Sequence, residues 1–486
     1  MNKDEKIAVL GFGVEGKDVL NYLKKHGFEN ITVLDKKNRN ELDLKGIDAS
    51  GIKFITGKDY LKNGLAGYSV IFRSPGFYRY IPEIIKAEKG GSEITSNIKY
   101  FLENYKGLSI GVTGTKGKGT TSTLIYEILR QVYPKQSRSA QDKSLKKSNR
   151  EIYLTGNIGS PPLSILDSTD SNSIVILELS SFQLIDLNNS PNIAVVLNVT
   201  SDHMDWHKNQ KEYVDAKKNI VRFQNKDDLK VINYDYGTSK SFADTSLSMN
   251  YFFSKEKRVQ GVYVKDGKII TSIHPAGVHS FDYVQDRSVT HEVSGFEVGS
   301  VDKLLLRGKH NWENVCAAIC ASQLAGADIN SIKKTVFSFK GLEHRLELVG
   351  VINGVTYYND SFSTNPQTTI AAVDSFTEAI TLVLGGYDKG LAFDEMVKHL
   401  CKKKNLQNII LIGNTQNKLN KLLRIYEFNS SIVKLGKSDM TEIVAKCKEV
   451  TKKGGVVLLS PACASFDMFS DYKDRGDQFK EIVAYG

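Results

Sequence analysis

The chain has 486 residues, room for about three domains, and 41% hydrophobic with 25% charged residues is a globular composition rather than a disordered or fibrous one. No run of ~18 apolar residues occurs, and the five cysteines form no CxxC pair, which excludes a spanning helix, a disulfide scaffold and a zinc ribbon. The net charge of +10 is spread along the chain, and the one dense basic tract, Lys135 to Arg150, lacks interleaved aromatics, so it reads as an exposed insertion and no nucleic-acid partner is expected. The start MNKDEK passes straight into a strand-like run, so no secretory signal and a cytoplasmic location are expected.

The first ~105 residues open on the apolar run KIAVLGFG, followed by a helix-like stretch ending near Gly27 and then ITVLD. Strand, glycine turn, helix and strand in that order predict a βαβ unit, and the strand-like runs IKFI and SVIFRSPG continue the pattern. Gly11, Gly13 and Gly16 open the helix, and Asp35 ends the next strand. By pattern this is a dinucleotide fingerprint, in which glycines admit a phosphate to the helix end and the acid takes a ribose hydroxyl. A Rossmann-like turn that binds no nicotinamide carries the same glycines.

A second unit starts at LSIGVTGTKGKGTTSTLIYEILR, an apolar strand running into a glycine-dense loop and a helix. Gly114, Thr115, Lys116, Gly117, Lys118, Gly119, Thr120 and Thr121 form a phosphate-binding candidate. Backbone N–H groups would face phosphate oxygens, Lys118 would neutralise the outer phosphates, and the Thr120 hydroxyl suits Mg²⁺. The strict GxxxxGK[ST] spacing fails, because Val112 stands where the first Gly belongs and Gly119 follows the lysine. SIVILELS and NIAVVLNVT read as parallel strands buried on both faces. Glu178 and His203 follow these strands as candidate metal ligands. Residues from about 225 to 303 read as a strand-rich excursion, closed by the helical NWENVCAAICASQLAG.

A third unit begins near Leu342 with the strands LELVGVI, VTYYND, AITLVLGG, NIILIG and GVVLLSP, and is predicted to be a further parallel α/β domain.

Together GTKGKGTT, TGNIG, LELSSFQL, NVTSDHMDWH, YVDAK, GKHNWEN, GLEHRLE and YNDSFST resemble the Mur ligase family, the ATP-dependent amide-forming enzymes of peptidoglycan precursor synthesis. The GFGVEG unit and the ending LLSPACASFDMFSDYKDRGDQF are most similar to the branch that adds glutamate to UDP-N-acetylmuramoyl-L-alanine. The resemblance implies an α/β fold in three domains: a Rossmann-like UDP-binding domain over 1–106, a central P-loop-type ATPase domain with a parallel sheet over 107–341, and a mobile Rossmann-like glutamate-binding domain over 342–486.

It also implies roles. Residues 114–121 hold the triphosphate, with Thr120, Glu178, His203 and Lys217 around Mg²⁺, in two ions, and Lys217 carbamylated by CO₂. Asn311 and Asn314 lie near adenine, and Arg345 and Asp360 are the arginine and ribose-binding aspartate of the third domain. Lys118, His203, Lys217 and Arg345 form the catalytic set. Val14, Glu15, Asp35 and Lys36 fall where uracil contacts lie, so the first fingerprint would hold UDP rather than NAD. Ser74, Asn157 and Ser180 are further substrate positions. Thr364, Lys389, Ser465 and Tyr472 match the acceptor pocket, with Tyr472 in place of a more usual Phe. Phe362 stands where members that add D-glutamate usually carry Lys, and related ligases that add L-glutamate have a DSxST-like segment. D-glutamate is the expected acceptor, with the L-glutamate branch and a folylpolyglutamate-synthase-like ligase as alternatives. A monomer is expected.

Overall fold

The computed structural model describes residues 1–134, 150–200, 202, 206–273 and 295–485, so His203 and all but the last residue of the basic tract fall outside the described residues. Two compact units result, Met1–Asp302 with Trp312–Val336, and Lys303–Asn311 with Phe337–Gly486. No helix among the described residues is long and apolar enough to cross a membrane.

In the first unit, β1 (Ile7–Leu10), β2 (Ile31–Asp35), β3 (Lys53–Thr56), β4 (Val70–Arg73) and β5 (Glu93–Thr95) form one sheet in the order β3-β2-β1-β4-β5. Every pair is parallel. The run IAVL of β1 is buried throughout, as a strand covered by helices on both faces must be. The helix Val14–Lys25 follows, with Glu15 in its first turn and Lys24 and Lys25 in its last, which complements its dipole. It packs tightly onto the β1 turn: a Cβ on Gly16 would lie 2.0 Å from the Gly11 carbonyl oxygen.

The second sheet contains β6 (Leu108–Thr113), β7 (Ile152–Gly156), β8 (Ile174–Glu178), β9 (Ile193–Val196), β10 (Leu229–Asn233), β11 (Met249–Ser254), β12 (Gly261–Lys265), β13 (Lys268–Thr271) and β14 (Phe296–Ser300). Its order among the described residues is β14-β13-β12-β11-β10-β9-β6-β8-β7. Among the described residues only β12–β13 and β13–β14 pair antiparallel in this sheet. The strand-rich stretch after residue 225 therefore extends this same sheet rather than leaving it. One apolar cluster runs from Ile7 and Val9 of β1 through Phe101 and Leu163 to Val175 and Leu177 of β8 and Ile220, so the first two sheets share a core.

In the second unit, β15 (Glu347–Ile352), β16 (Val355–Asn359), β17 (Ile380–Gly385), β18 (Leu406–Ile412), β19 (Ser431–Gly436) and β20 (Val456–Leu459) form a sheet in the order β15-β16-β20-β17-β18-β19. It is not wholly parallel, because β15 pairs antiparallel with β16 through a two-residue turn at Asn353 and Gly354. Sequence reasoning missed β19. It is an edge strand whose residues are half-buried or exposed, so it lacks the continuous apolar run that marks its neighbours. The α/β class expected from the sequence is observed, with parallel pairing dominant in all three sheets.

Candidate functional site

The loop after β6 ends in the helix Lys118–Val132, whose first residue follows Gly117 in the left-handed conformation at φ 86°. A Cβ on Gly117 would meet Asn314 Oδ1 at 2.2 Å, so both the backbone angle and the space demand glycine. Lys118 turns back over the loop, and its Nζ donates to the carbonyls of Gly114 and Thr115, each at 3.0 Å. Lys116 is exposed, Thr120 is half-buried, and Thr121 Oγ1 donates to Asn314 Oδ1 at 3.4 Å.

Lys217 comes from the helix Gln210–Arg222 and reaches the same carbonyl: its Nζ donates to Gly114 O at 3.0 Å and to Thr113 Oγ1 at 3.3 Å. Only 2% of it is exposed. Burial pushes its ammonium well below the usual lysine range, the Lys118 charge adds to this, and Asp202 and Glu178 oppose it. The Tyr213 ring lies 4.8 Å from the same Nζ, and the Tyr213 hydroxyl is 2.9 Å from Thr115 Oγ1. Thr115 further receives the Thr200 amide on Oγ1 and gives its own amide to Asn198 O, at 2.9 and 2.8 Å. The loops after β6 and β9 are thus tied together.

Glu178 ends β8 and is buried, and its carbonyl accepts the Asn157 amide at 3.0 Å, which brings the loop after β7 to the same sheet edge. Ser180 caps the short helix Ser181–Leu184 through reciprocal bonds with Gln183. Gln183 in turn donates to Glu15 Oε1 at 2.8 Å, and burial, the dominant cause, raises the Glu15 carboxyl to about 7. Ser181 Oγ lies 2.8 Å from His207 Nε2, and His207 Nδ1 lies 3.2 Å from Glu212 Oε1. Sequence reasoning assigned no role to His207, Glu212 or Tyr213, although the DHMDWH and YVDAK motifs contain them or lie beside them.

At the first sheet, Asp35 accepts the amides of Phe12 and Lys37 at 2.7 and 2.8 Å, so its carboxylate organises the β1 and β2 turns. Val14 and Lys36 are exposed, and Ser74 Oγ donates to Gly11 O at 3.0 Å.

In the second unit, Asp360 accepts the Leu346 amide at 3.1 Å and the Ser460 hydroxyl at 2.7 Å. Burial raises its carboxyl to about 6, against the lowering effect of Ser363, Ser460, Leu346 and Arg345. The Arg345 guanidinium sits over the Phe362 ring. Asn311, at the start of the helix His310–Leu324, donates to Arg307 O at 2.6 Å. Ser465 is buried, with its Oγ bonded to no described group. Lys389 is exposed and lies 5.8 Å from the Phe466 ring, and its loop pairs with the Ser465 loop through Tyr387 and Ala464. Ser361 Oγ donates to Tyr472 O at 2.7 Å.

A brace that the sequence did not announce ties the Ser361 and Cys463 segments together. Arg475, fully buried, donates to Ser361 Oγ at 2.9 Å, Ser361 O at 2.8 Å and Cys463 O at 3.2 Å. Its presence in the closing motif DYKDRG was the available signal.

The chain matches the Mur ligase middle domain over residues 112–322 and the Mur ligase, glutamate ligase domain, over 344–463. It is 37% identical to a UDP-N-acetylmuramoylalanine--D-glutamate ligase of Acetivibrio thermocellus, over 99% of this chain and 96% of that one. A protein of the same name from Ruminiclostridium cellulolyticum is 35% identical, over 99% of this chain and 97% of that one. The crystal structure of a UDP-N-acetylmuramate-alanine ligase from Thermotoga maritima shares the fold, with a TM-score of 0.55 at 16% identity over 99% of both chains. The chain belongs to the Mur ligase family.

Proposed function

We infer that this chain is an ATP-dependent ligase that joins D-glutamate to UDP-N-acetylmuramoyl-L-alanine in peptidoglycan synthesis, giving ADP and phosphate. Full-length relatives at 33–37% identity carry the name of that activity, which favours D-glutamate over the L-glutamate branch despite Phe362. The observation that carries the ligase reading at the level of the site is the convergence of Lys118 and Lys217 on Gly114 O, each at 3.0 Å, where a helix begins.

The chemistry needs these groups. Direct attack on a carboxylate would have to expel oxide, so the alanyl carboxylate first takes the γ-phosphoryl group as an acyl phosphate. The glutamate amine then attacks it through a tetrahedral intermediate, and phosphate leaves. Two anions must meet in the first step, so Lys118 acts by neutralising charge that develops on the transferred group, and Arg345 is assigned the same work. Amides of residues 114–121 and the start of the helix Lys118–Val132 suit the triphosphate.

The oxygen donors Thr120 and Glu178 suit Mg²⁺, which when bound would supply charge neutralisation at the phosphates. We assign His203 to the same group from its motif. Lys217 fits carbamylation because burial favours its neutral amine, the form whose lone pair adds to CO₂ with loss of a proton. The product carries a negative charge where the lysine would have carried a positive one.

Residues 1–106 are read as the uridine-nucleotide part, 107–341 as the ATP part and 342–486 as the glutamate part. The all-parallel order β3-β2-β1-β4-β5 supports a Rossmann-like reading of the first. Val14, Glu15, Asp35, Lys36, Ser74, Asn157 and Ser180 are assigned to the uridine-linked substrate. Asn311, Asn314 and Asp360 are assigned to the nucleoside of ATP, and Thr364, Lys389, Ser465 and Tyr472 to the amino acid. The protein is proposed to act as a cytoplasmic monomer.

Phosphate release with ATP, Mg²⁺ and UDP-N-acetylmuramoyl-L-alanine tests this reading. Turnover is expected with D-glutamate and absent with L-glutamate or no amino acid. Turnover with L-glutamate alone would move the acceptor to the other branch.

A further inference from the structure

Arg345 closes the turn that starts at Leu342, its amide donating to Leu342 O at 3.1 Å, and stands between two residues in the left-handed region, His344 at φ 62° and Leu346 at φ 46°. Neither is glycine, and such angles persist only where the surroundings impose them. Here they do. The His344 amide donates to Glu347 Oε2 at 2.9 Å, the Leu346 amide to Asp360 Oδ1 at 3.1 Å, and the Phe362 amide to His344 O at 3.0 Å. Asn359 Nδ2 bridges His344 Nδ1 and Glu347 Oε2, each at 3.0 Å. The turn is built around one side chain, and it delivers the Arg345 guanidinium to 3.9 Å from the centroid of the Phe362 ring.

That ring is itself held. Tyr472 meets it in a T-shaped pair at 5.1 Å, and His344 forms a second T-shaped pair with Tyr472 at 5.8 Å. Phe362 is nevertheless 37% exposed, so core filling does not account for a phenylalanine here. A guanidinium over a ring face is attracted by the ring quadrupole. Stacking engages the face of the guanidinium and leaves its in-plane N–H donors directed sideways.

We propose that Phe362 is a positioning residue of the ligase reaction, a ring braced by Tyr472 on which the Arg345 guanidinium is seated for contact with the transferred phosphoryl group. The proposal rests on the phosphoryl role assigned to Arg345 above. In this chain Phe362→Lys would set a second positive charge against Arg345 and remove the platform.

The test compares Phe362→Leu, Phe362→Tyr and Arg345→Lys in the full chain, each first checked for a wild-type thermal midpoint. kcat and KM for ATP are measured, together with the ¹H–¹⁵N resonance of the Arg345 Nε, assigned by its loss in Arg345→Lys. Phe362→Leu is expected to lower kcat about tenfold with KM for ATP within about twofold, and to remove the upfield ring-current shift of that resonance. Phe362→Tyr is expected to return both readouts to near wild type. Wild-type kcat in Phe362→Leu, while Arg345→Lys is inactive, would overturn the positioning role alone. Full activity in Arg345→Lys, with the ring-current shift intact in the wild type, would overturn the phosphoryl role on which the proposal stands.

Discussion

Arg73, the last residue of β4, donates from Nε to Asp186 Oδ2 at 2.7 Å, and both side chains are withdrawn from water. The guanidinium also donates to Phe182 O at 2.7 Å, and Arg79 Nε approaches the other Asp186 oxygen at 2.8 Å. The first sheet and the segment that follows β8 are therefore joined by a buried charge pair. Such a pair adds little over a well-packed apolar contact, but losing one partner strands a charge in the core. Asp186→Ala is expected to destabilise the first unit by about 3–5 kcal/mol in chemical denaturation, whereas Arg73→Met with Asp186→Leu should fall much closer to wild type. Equal losses in the single and double variants would show that shape, not charge, holds the joint.

Lys118 offers a test of catalysis with little structural cost. It is only half-buried, and it donates to two loop carbonyls that water can also serve. Lys118→Ala should lower kcat by about 10²–10³-fold or more while circular dichroism and the melting midpoint stay near wild type. Near-normal phosphate release from a folded variant would remove Lys118 from the phosphoryl step.

Lys217 asks a different question, because the group proposed to act is the anion made from it. Lys217→Ala should be inactive, and a short carboxylate such as acetate should recover about a tenth of the activity or less by occupying the vacated space. Carbonate-free buffer should also depress the wild type, reversibly on adding bicarbonate. No response in either experiment would leave Lys217 as a buried amine bonded to Gly114 and Thr113.

Glu15 predicts a pH dependence of stability. Its carboxyl is raised from the ordinary 4.5 to about 7, mainly by burial, with Asp18 and Asp186 adding to the rise and Gln183 and Arg73 opposing it. The folded chain thus holds this proton more tightly than the unfolded chain. The cost of ionising it is absent below about pH 4, grows as pH rises, and is complete above about pH 7, where it reaches ~3 kcal/mol. Glu15→Gln keeps an oxygen for the Gln183 amide and carries no charge. Its melting midpoint should exceed the wild type by a few degrees at pH 8 and match it at pH 4. A gain of the same size at both pH values would refute the ionisation account.

Much of this protein is legible in one dimension. The buried runs IAVL, IVILE and IAVV announce parallel strands because covered strands need no polar face. The glycine-dense loop before Lys118 and the acid at the end of β8 are likewise local patterns, since phosphate and metal chemistry demands those residue types at strand ends. Motifs of this kind identify the family, and with it the reaction, before any coordinate is known.

What the sequence could not decide depends on residues far apart along the chain. Arg73 and Asp186 are separated by 113 positions, and Arg475 and Ser361 by 114, and nothing local distinguishes them from surface residues. The antiparallel β15 and the half-exposed edge strand β19 were set by packing against neighbours, not by their own apolar content. The state of Lys217 is of the same kind. A lysine in YVDAK reads as charged, and only its enclosure beside Gly114, with Lys118 on the same carbonyl, withdraws the water that would keep it so. Sequence determined which chemical groups this protein possesses; tertiary structure decided which of them meet, how far water is excluded, and therefore which charge each one carries.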